Sequence, residues 1–306
     1  MQFSVVIPVY NAEKYVTSAV ESALKQRECG EVILVEDKSP DDALKVCRDL
    51  EKKHDRVKLY RHEGGENRGA GISRNLGIEK SRYDYVAFLD SDDYYLPDRF
   101  RKTVEVLSRH PSADGVYEAV GCDFENEEAR SRYFVTHSTE ITTITEPIDP
   151  EKLFYYMMSG KYGHIHLNGF VGKKETLLKV GMFPSLRLHQ DMVFFMKLAA
   201  VCKLYPGEIT NPVALRRLHL SNRITNPGTD FKVTNFKARK SLVEWMKQNG
   251  VDTAKLNLMK TRYYRIKYSL LKRNKRYVSA ILFYAYYQVF YKKYEKMLAD
   301  PSLICS

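Results

Sequence analysis

The chain has 306 residues, 44% of them hydrophobic, which suffices for a sizeable buried core and argues against disorder. Its formal charge of +11 sits at one end: residues 231–306 hold 17 Lys and Arg against 4 Asp and Glu, leaving 32 against 34 for the near-neutral remainder. The five cysteines, Cys29, Cys47, Cys122, Cys202 and Cys305, are odd in number and lack C-x-x-C spacing. That argues against a disulfide framework or a zinc knuckle and fits a reducing cytoplasm.

Phe3–Ile7 is apolar, but Pro8 breaks the run and no basic n-region or longer apolar stretch accompanies it, so it reads as a first strand rather than a signal peptide. Ala12–Gln26 carries apolar residues at Ala12, Tyr15, Val16, Ala19, Val20, Ala23 and Leu24, the spacing of an amphipathic helix. The pattern continues with a strand at Val32–Val35, a helix at Pro40–His54, a strand at Val57–Tyr60, a helix at Gly69–Ser81 and a strand at Tyr85–Leu89. This alternation predicts an α/β fold with a mostly parallel, doubly wound sheet. Next come expected strands at Asp114–Cys122 and Arg132–Val135, a helix at Glu151–Ser159, a strand at Gly169–Gly172, and helices at Lys174–Val180 and Asp191–Val201. They complete the sheet and supply the second wall of a cleft. Pro227-Gly228 is a turn signal that separates this body, residues 1–228, from a basic, Tyr-rich helical appendage, residues 229–306. Two or three helices are expected there from Asn235 onward. Its longest uncharged stretch, Tyr277 to Tyr291, has fifteen residues, short of the roughly 20 that span a bilayer.

Polar clusters sit where the early strands end. Asp90-Ser91-Asp92-Asp93 crowds three carboxylates at the end of a buried strand, where a hard cation such as Mg²⁺, Mn²⁺ or Ca²⁺ would relieve their repulsion. A solvated acidic turn before a helix opened by Pro97 and Asp98 is the plainer alternative. Pro8-Val9-Tyr10-Asn11, Glu36 to Asp42, and Asn67 to Asn75 close the other strands. In the last of these, Gly69 and Gly71 allow close backbone approach and a helix N-terminus favours anions. Each cluster alone is also compatible with ordinary turn and cap chemistry.

Together the strings V-V-I-P-V-Y-N, E-D-K-S-P-D-D, G-I-S-R-N-L-G and F-L-D-S-D-D resemble, in order, motifs of glycosyltransferase family 2 over roughly residues 1–225. The chain departs from the family's D-D-G-S pattern in having Glu36 for Asp and Lys38 for Gly. The resemblance implies a GT-A fold, with a nucleotide-binding half (1–93) and an acceptor half (94–228). It implies that Pro8, Tyr10, Glu36 and Asp37 surround the base, with Asp37 accepting from a uracil imide N–H. Ser39 and Arg74 would lie beside the nucleotide, Asp90 on the ribose side. Asp92 would coordinate Mn²⁺ or Mg²⁺ on the diphosphate, and Asp93 would act as a supporting partner. Leu188-His189-Gln190-Asp191-Met192 resembles the family's segment ending in the catalytic base, which makes Asp191 the expected base; its alternative role is a helix cap. Leu215 to Arg223 resembles the late R-x-H-x-x-N-R string, so Arg217 and Arg223 would form a cationic lid on the diphosphate and His219 a metal ligand. His164 and His166 would face the acceptor, or would be ordinary strand residues.

The expected activity is inverting transfer from a nucleotide sugar, with UDP as carrier, to a saccharide or lipid-linked acceptor in cell-surface polysaccharide assembly. Two other readings are a catalytically inactive sugar-nucleotide-binding or assembly protein on the same fold, and a sugar-phosphate nucleotidyltransferase, which would show a Gly-rich N-terminal loop in place of P-V-Y-N. The basic tail fits an anionic membrane surface at the inner face of the cell membrane, or a homodimer through its helices. No nucleic-acid motif accompanies it.

Overall fold

The computed structural model describes residues 1–219, 231–273, 277–290 and 292–299. Strand and helix alternate from the start: β1 (Phe3–Val9), α1 (Val16–Leu24), β2 (Cys29–Glu36), α2 (Ala43–Lys53), β3 (Val57–Arg61), α3 (Ala70–Lys80) and β4 (Tyr85–Phe88). Every residue of β1 and β2 is buried, as in a parallel strand covered on both faces; most are apolar, and the exceptions Ser4, Glu31 and Glu36 are hydrogen-bonded. Val6, Ile33, Val35 and Phe88 pack on one face; Val5, Ile7, Val32 and Leu34 pack on the other.

The middle of the chain contributes β5 (Tyr94–Tyr95), α4 (Arg101–Arg109), β6 (Gly115–Tyr117), β7 (Val120–Phe124), α5 (Glu127–Phe134), α6 (Leu153–Ser159), β8 (Phe170–Lys173), α7 (Lys174–Val180), α8 (Gln190–Val201), β9 (Leu204–Pro206) and β10 (Ala214–Leu218). A seven-stranded sheet runs β3-β2-β1-β4-β8-β6-β9; β8 is antiparallel to both of its neighbours and every other pair is parallel. β2 and β3 lie to one side of β1, and β4 lies to the other. The chain therefore reverses direction across the sheet at β1, and a crevice opens at the carboxyl ends of β1 and β4. A second sheet, β5-β10-β7, stands over that crevice.

Two strand expectations need correcting. Arg132–Val135 is not a strand: Arg132 to Phe134 end helix α5, which Asn126 starts by accepting the Ala129 N–H at 2.9 Å, with Glu127 and Glu128 in the favourable first turn. Asp114–Cys122 is two strands in different sheets, divided at Glu118-Ala119.

After residue 230 come α9 (Phe231–Gln248), α10 (Thr253–Arg273), α11 (Tyr277–Phe290) and α12 (Tyr294–Ala299), so the described residues hold four helices rather than two or three. α9 packs on α8, and α10 packs on α9 and α6. Leu242, Met246, Leu258 and Met259 are fully buried in the same cluster as Phe194 and Leu198 of α8. At about 2 kcal/mol for each large apolar side chain, such burial is enough to fasten the two helices to the body. No described helix is long and apolar enough to cross a membrane.

Candidate active site

The crevice is a cleft of about 960 Å³. Pro8, Tyr10, Asp37, Arg74, Asp90, Asp92, His166, Asp191, Arg217 and His219 all line it, although they come from seven separate stretches of sequence. Glu36, Ser39 and His164 are not among its lining residues, and Arg223 lies outside the described residues.

On the wall formed by β1, β2 and α3, backbone turns are locked by side chains. Glu36 is buried; it holds Arg61 Nε at 2.8 Å and accepts the Ser39 N–H at 2.5 Å. Ser39 Oγ in turn accepts the Asn11 N–H at 3.2 Å. Lys38, standing where the family pattern has Gly, keeps the left-handed turn with φ 59°. Asp37 is 2% exposed, and its two oxygens accept the N–H groups of Arg68 (2.7 Å) and Gly69 (2.8 Å). Its carboxylate therefore anchors the turn into α3, where Gly69 takes φ 86°, a conformation that favours glycine.

Arg74 links the two walls. Its Nη2 donates to Asp90 Oδ1 at 2.6 Å and its Nη1 to Asp191 Oδ1 at 3.3 Å. Burial opposes the charge on Asp90, but the guanidinium beside it holds the carboxyl below its usual range. Asp92 lacks that advantage: burial, and then the Asp90 charge, push it up to about 6. Asp93, also buried, is pushed well above the carboxylate range by burial and by Asp92 and Asp90. Its oxygens accept the Arg217 N–H at 2.8 Å and Asn168 Nδ2 at 2.6 Å, so it ties the acidic loop to β10.

The loop is held from behind by residues that sequence reasoning missed. Asn168, fully buried, uses Oδ1 to accept the Asp90 N–H at 3.0 Å while donating to Asp93. Arg99 Nε donates to the Asn168 carbonyl at 3.1 Å, and Arg99 itself is paired with Glu118 in the core. Glu118 also accepts from Thr103 Oγ1 at 2.7 Å. These contacts span 15 to 78 positions, and no local spacing announces them.

Arg217 lies over the rings of Tyr15 (5.1 Å) and Tyr94 (5.2 Å), and the His219 ring stacks on Tyr15 at 5.3 Å. His219 Nε2 is 3.9 Å from Asp92 Oδ2. Two donors each about 2.1 Å from one Mg²⁺ stand roughly 3 to 4 Å apart, so this pair fits a divalent ion that takes its remaining ligands from water and diphosphate oxygens. No described cluster of three or more His, Cys, Asp or Glu could hold a metal ion by itself.

On the opposite wall, α8 begins after His189, which has φ 63°. Asp191 is the second residue of the helix, not its cap, and its side chain is 49% exposed toward the cleft. Gln190 accepts the Gly71 N–H at 3.2 Å, and a Cβ on Gly71 would meet Gln190 Oε1 at 2.7 Å, so a larger residue there would displace the Gln190 side chain that joins α3 to α8. His166 Nδ1 accepts the Asn168 N–H at 3.2 Å, and burial followed by Arg216 pushes the imidazole down to about 3. His164 is exposed and does not line the cleft.

A family model described as glycosyl transferase family 2 matches residues 4–177, more than half of the chain, and the chain belongs to that family. It is 28% identical over 221 residues to an uncharacterized glycosyltransferase of Haemophilus influenzae, covering 71% of this chain and 68% of the relative. It is 37% identical over 111 residues to the putative teichuronic acid biosynthesis glycosyltransferase TuaG of Bacillus subtilis, covering 36% and 43%. In three dimensions it is similar to S. aureus TarS 1–349 in complex with UDP-GlcNAc, with TM-score 0.66 and 19% identity, covering 88% of this chain and 73% of that one. The fold is thus GT-A, with a helical C-terminal region added to it.

Proposed function

We propose that this chain moves a sugar from a UDP-sugar to a hydroxyl of a saccharide or lipid-linked saccharide in cell-surface polysaccharide assembly, with inversion at the anomeric carbon. The observation that carries this reading is the Arg74 bridge, which sets a carboxylate of the acidic loop and the cleft-facing Asp191 on one guanidinium at the sheet's reversal point. The UDP-GlcNAc bound to TarS and the teichuronic acid context of TuaG support the donor and product classes.

In this reading Pro8, Tyr10 and Asp37 receive the base, while Glu36 and Ser39 shape the loop that holds it. Arg74 and Asp90 face the ribose. Asp92 and His219 would hold Mn²⁺ or Mg²⁺, which when bound supplies positive charge to the departing diphosphate. Arg217, with Arg223, adds donors to the same oxygens. Asp191 takes the proton of the acceptor hydroxyl as its oxygen bonds to the anomeric carbon and the bond to the diphosphate breaks. Attack from the face opposite the leaving group inverts the centre.

A transfer assay across UDP-sugars tests the proposal. Asp191→Asn is expected to lower kcat about 10³-fold while UDP affinity in Mn²⁺ stays within about twofold. Turnover at the wild-type rate would sink the base assignment, and equal UDP affinity in Mn²⁺ and in EDTA would sink the metal site.

We propose also that α11 docks on an anionic membrane. Val278, Ile281, Leu282, Tyr286 and Val289 are exposed along one face at i, i+3, i+4 spacing, and the helix carries no charge. Exposed Lys272 and Arg273 precede it and Lys292 and Lys293 follow it. A second copy packed antiparallel would set like charges against each other, whereas anionic head groups complement them. Flotation with phosphatidylglycerol vesicles should recover the wild type and lose Ile281→Asp/Leu282→Asp; equal flotation of both would overturn the assignment.

A further inference from the structure

Three arginines are buried, Arg74 and Arg216 lining the cleft and Arg99 in the core behind the acidic loop, and their charges are balanced differently. Arg99 is fully buried and paired with Glu118; Arg74 is 4% exposed and paired with Asp90 and Asp191. Arg216 is 7% exposed and forms no ion pair with any described residue. Its hydrogen bonds all run from Nη2, to Cys122 Sγ (3.2 Å), Tyr133 OH (3.0 Å) and Thr142 Oγ1 (3.0 Å). These partners carry no carboxylate, and its buried Nε has no hydrogen-bond partner.

The position of this charge follows from strand geometry. Along β10 burial alternates, so Arg216 and Arg217 point to opposite faces. Arg217 goes to Tyr15, Tyr94 and the Asp92 loop, the diphosphate end in the reading above. Arg216 goes to Tyr133, over whose ring its guanidinium lies at 5.7 Å, and lines the cleft together with His166. The His166 tautomer is fixed by its own bond: Nδ1 accepts from the Asn168 N–H, so the proton of the neutral ring sits on Nε2. Asp90, the loop carboxylate on which the Arg216 charge acts, is already committed to Arg74.

A guanidinium withdrawn from water with no anion beside it is poorly satisfied, and its forked donors match carboxylate and phosphate oxygens. We infer that Arg216 and His166 form an anion subsite, distinct from the diphosphate site, for a carboxylate or phosphate group carried by the sugar substrate. The inference rests on the donor-site reading, since it takes the sugar to lie between the diphosphate end and Asp191. The anion belongs either to the transferred sugar or to the acceptor.

Calorimetric titration of the full chain in Mn²⁺ separates the two sources. One arm compares UDP-glucuronate with UDP-glucose; the other compares glucose 6-phosphate with glucose in the presence of UDP. In one arm the anionic ligand is expected to bind at least about tenfold tighter than its neutral counterpart. Arg216→Gln should erase that preference and leave UDP affinity within about twofold. If neither arm shows a preference in the wild type, or if the preference survives Arg216→Gln, the subsite does not exist. Should Arg216→Gln not fold, His166→Gln is expected to cut the preference several-fold, and an unchanged preference there would equally overturn it. Failure of UDP itself to bind would instead strike the donor-site reading.

Discussion

On the wall of the cleft built from β1, β2 and α3, the polar side chains are already committed within the protein. Glu36 holds Arg61 and the Ser39 amide, Asp37 holds two amides at the start of α3, and Ser39 holds Asn11. On the facing wall, built from β10, the turn before β8 and the start of α8, functional groups present themselves to the cleft. Asp191 is half exposed, His166 keeps a proton on Nε2, and Arg216 pairs with no carboxylate among the described residues. A wall whose bonds are made before the ligand arrives suits a part common to many substrates, such as a nucleotide. A wall with bonds still to make is where one sugar can be told from another.

The sharpest way to break this contrast is to cut the tie between the walls. Asn168→Ala removes an acceptor for the Asp90 amide and a donor to Asp93 in a fully buried place, and should destabilise the protein by about 3 kcal/mol in urea unfolding. A loss below about 1 kcal/mol would mean that the acidic loop is held by something else. Arg74→Lys keeps the charge but cannot span Asp90 and Asp191 with one planar fork. It should lower kcat by roughly tenfold to a hundredfold, with a change in the unfolding midpoint much smaller than that of Asn168→Ala.

The smallest effect concerns pH. Folded His166 is held down to about 3, against an ordinary value of 6.5, chiefly by burial. Between those values the unfolded chain takes up a proton that the folded chain refuses, so this residue's share of stability is present at neutral pH and is lost as the pH falls below about 6.5. His166→Asn should therefore flatten the decline in stability between pH 7 and pH 5 by about 1 kcal/mol, a figure reduced for the ring's partial exposure. Parallel pH curves for both proteins would place the acid-sensitive group elsewhere.

Strands β1, β2 and β4 were legible because burial writes an unbroken apolar run such as Val32 to Val35, while the edge strand β3 showed only the short pattern Val57 to Tyr60. β10 was not, because Arg216 and Arg217 hide the strand's alternation. α5 was misread because Tyr133, Phe134 and Val135 favour strands, while the deciding signal was the cap at Asn126. In the site, residue types pointed to the acidic cluster at 90–93 and the resemblance to family motifs to Arg74 and Asp191, and one cleft collects Asp90, Asp92, Arg74 and Asp191. Direction was invisible: the sequence could not say that Glu36 turns toward Arg61, or that Asp191 is the second residue of its helix and lines the cleft rather than capping the helix. Nor could it pair Asn168 with Asp90 and Asp93 across more than seventy positions.

The packing of α9 against α8 bears on how the basic tail should be handled. The helix that presents Asp191 at one end is seated along its length on the tail: His189 meets Phe231, Lys197 meets Trp245, and Leu198 shares a cluster with Leu242. The tail is thus a foundation under α8 as well as a candidate contact for lipid. Deleting it would tilt the floor beneath Asp191 while removing the proposed membrane contact, and lost activity would then say nothing about either. Single charged substitutions on the outer face of α11 leave that foundation standing.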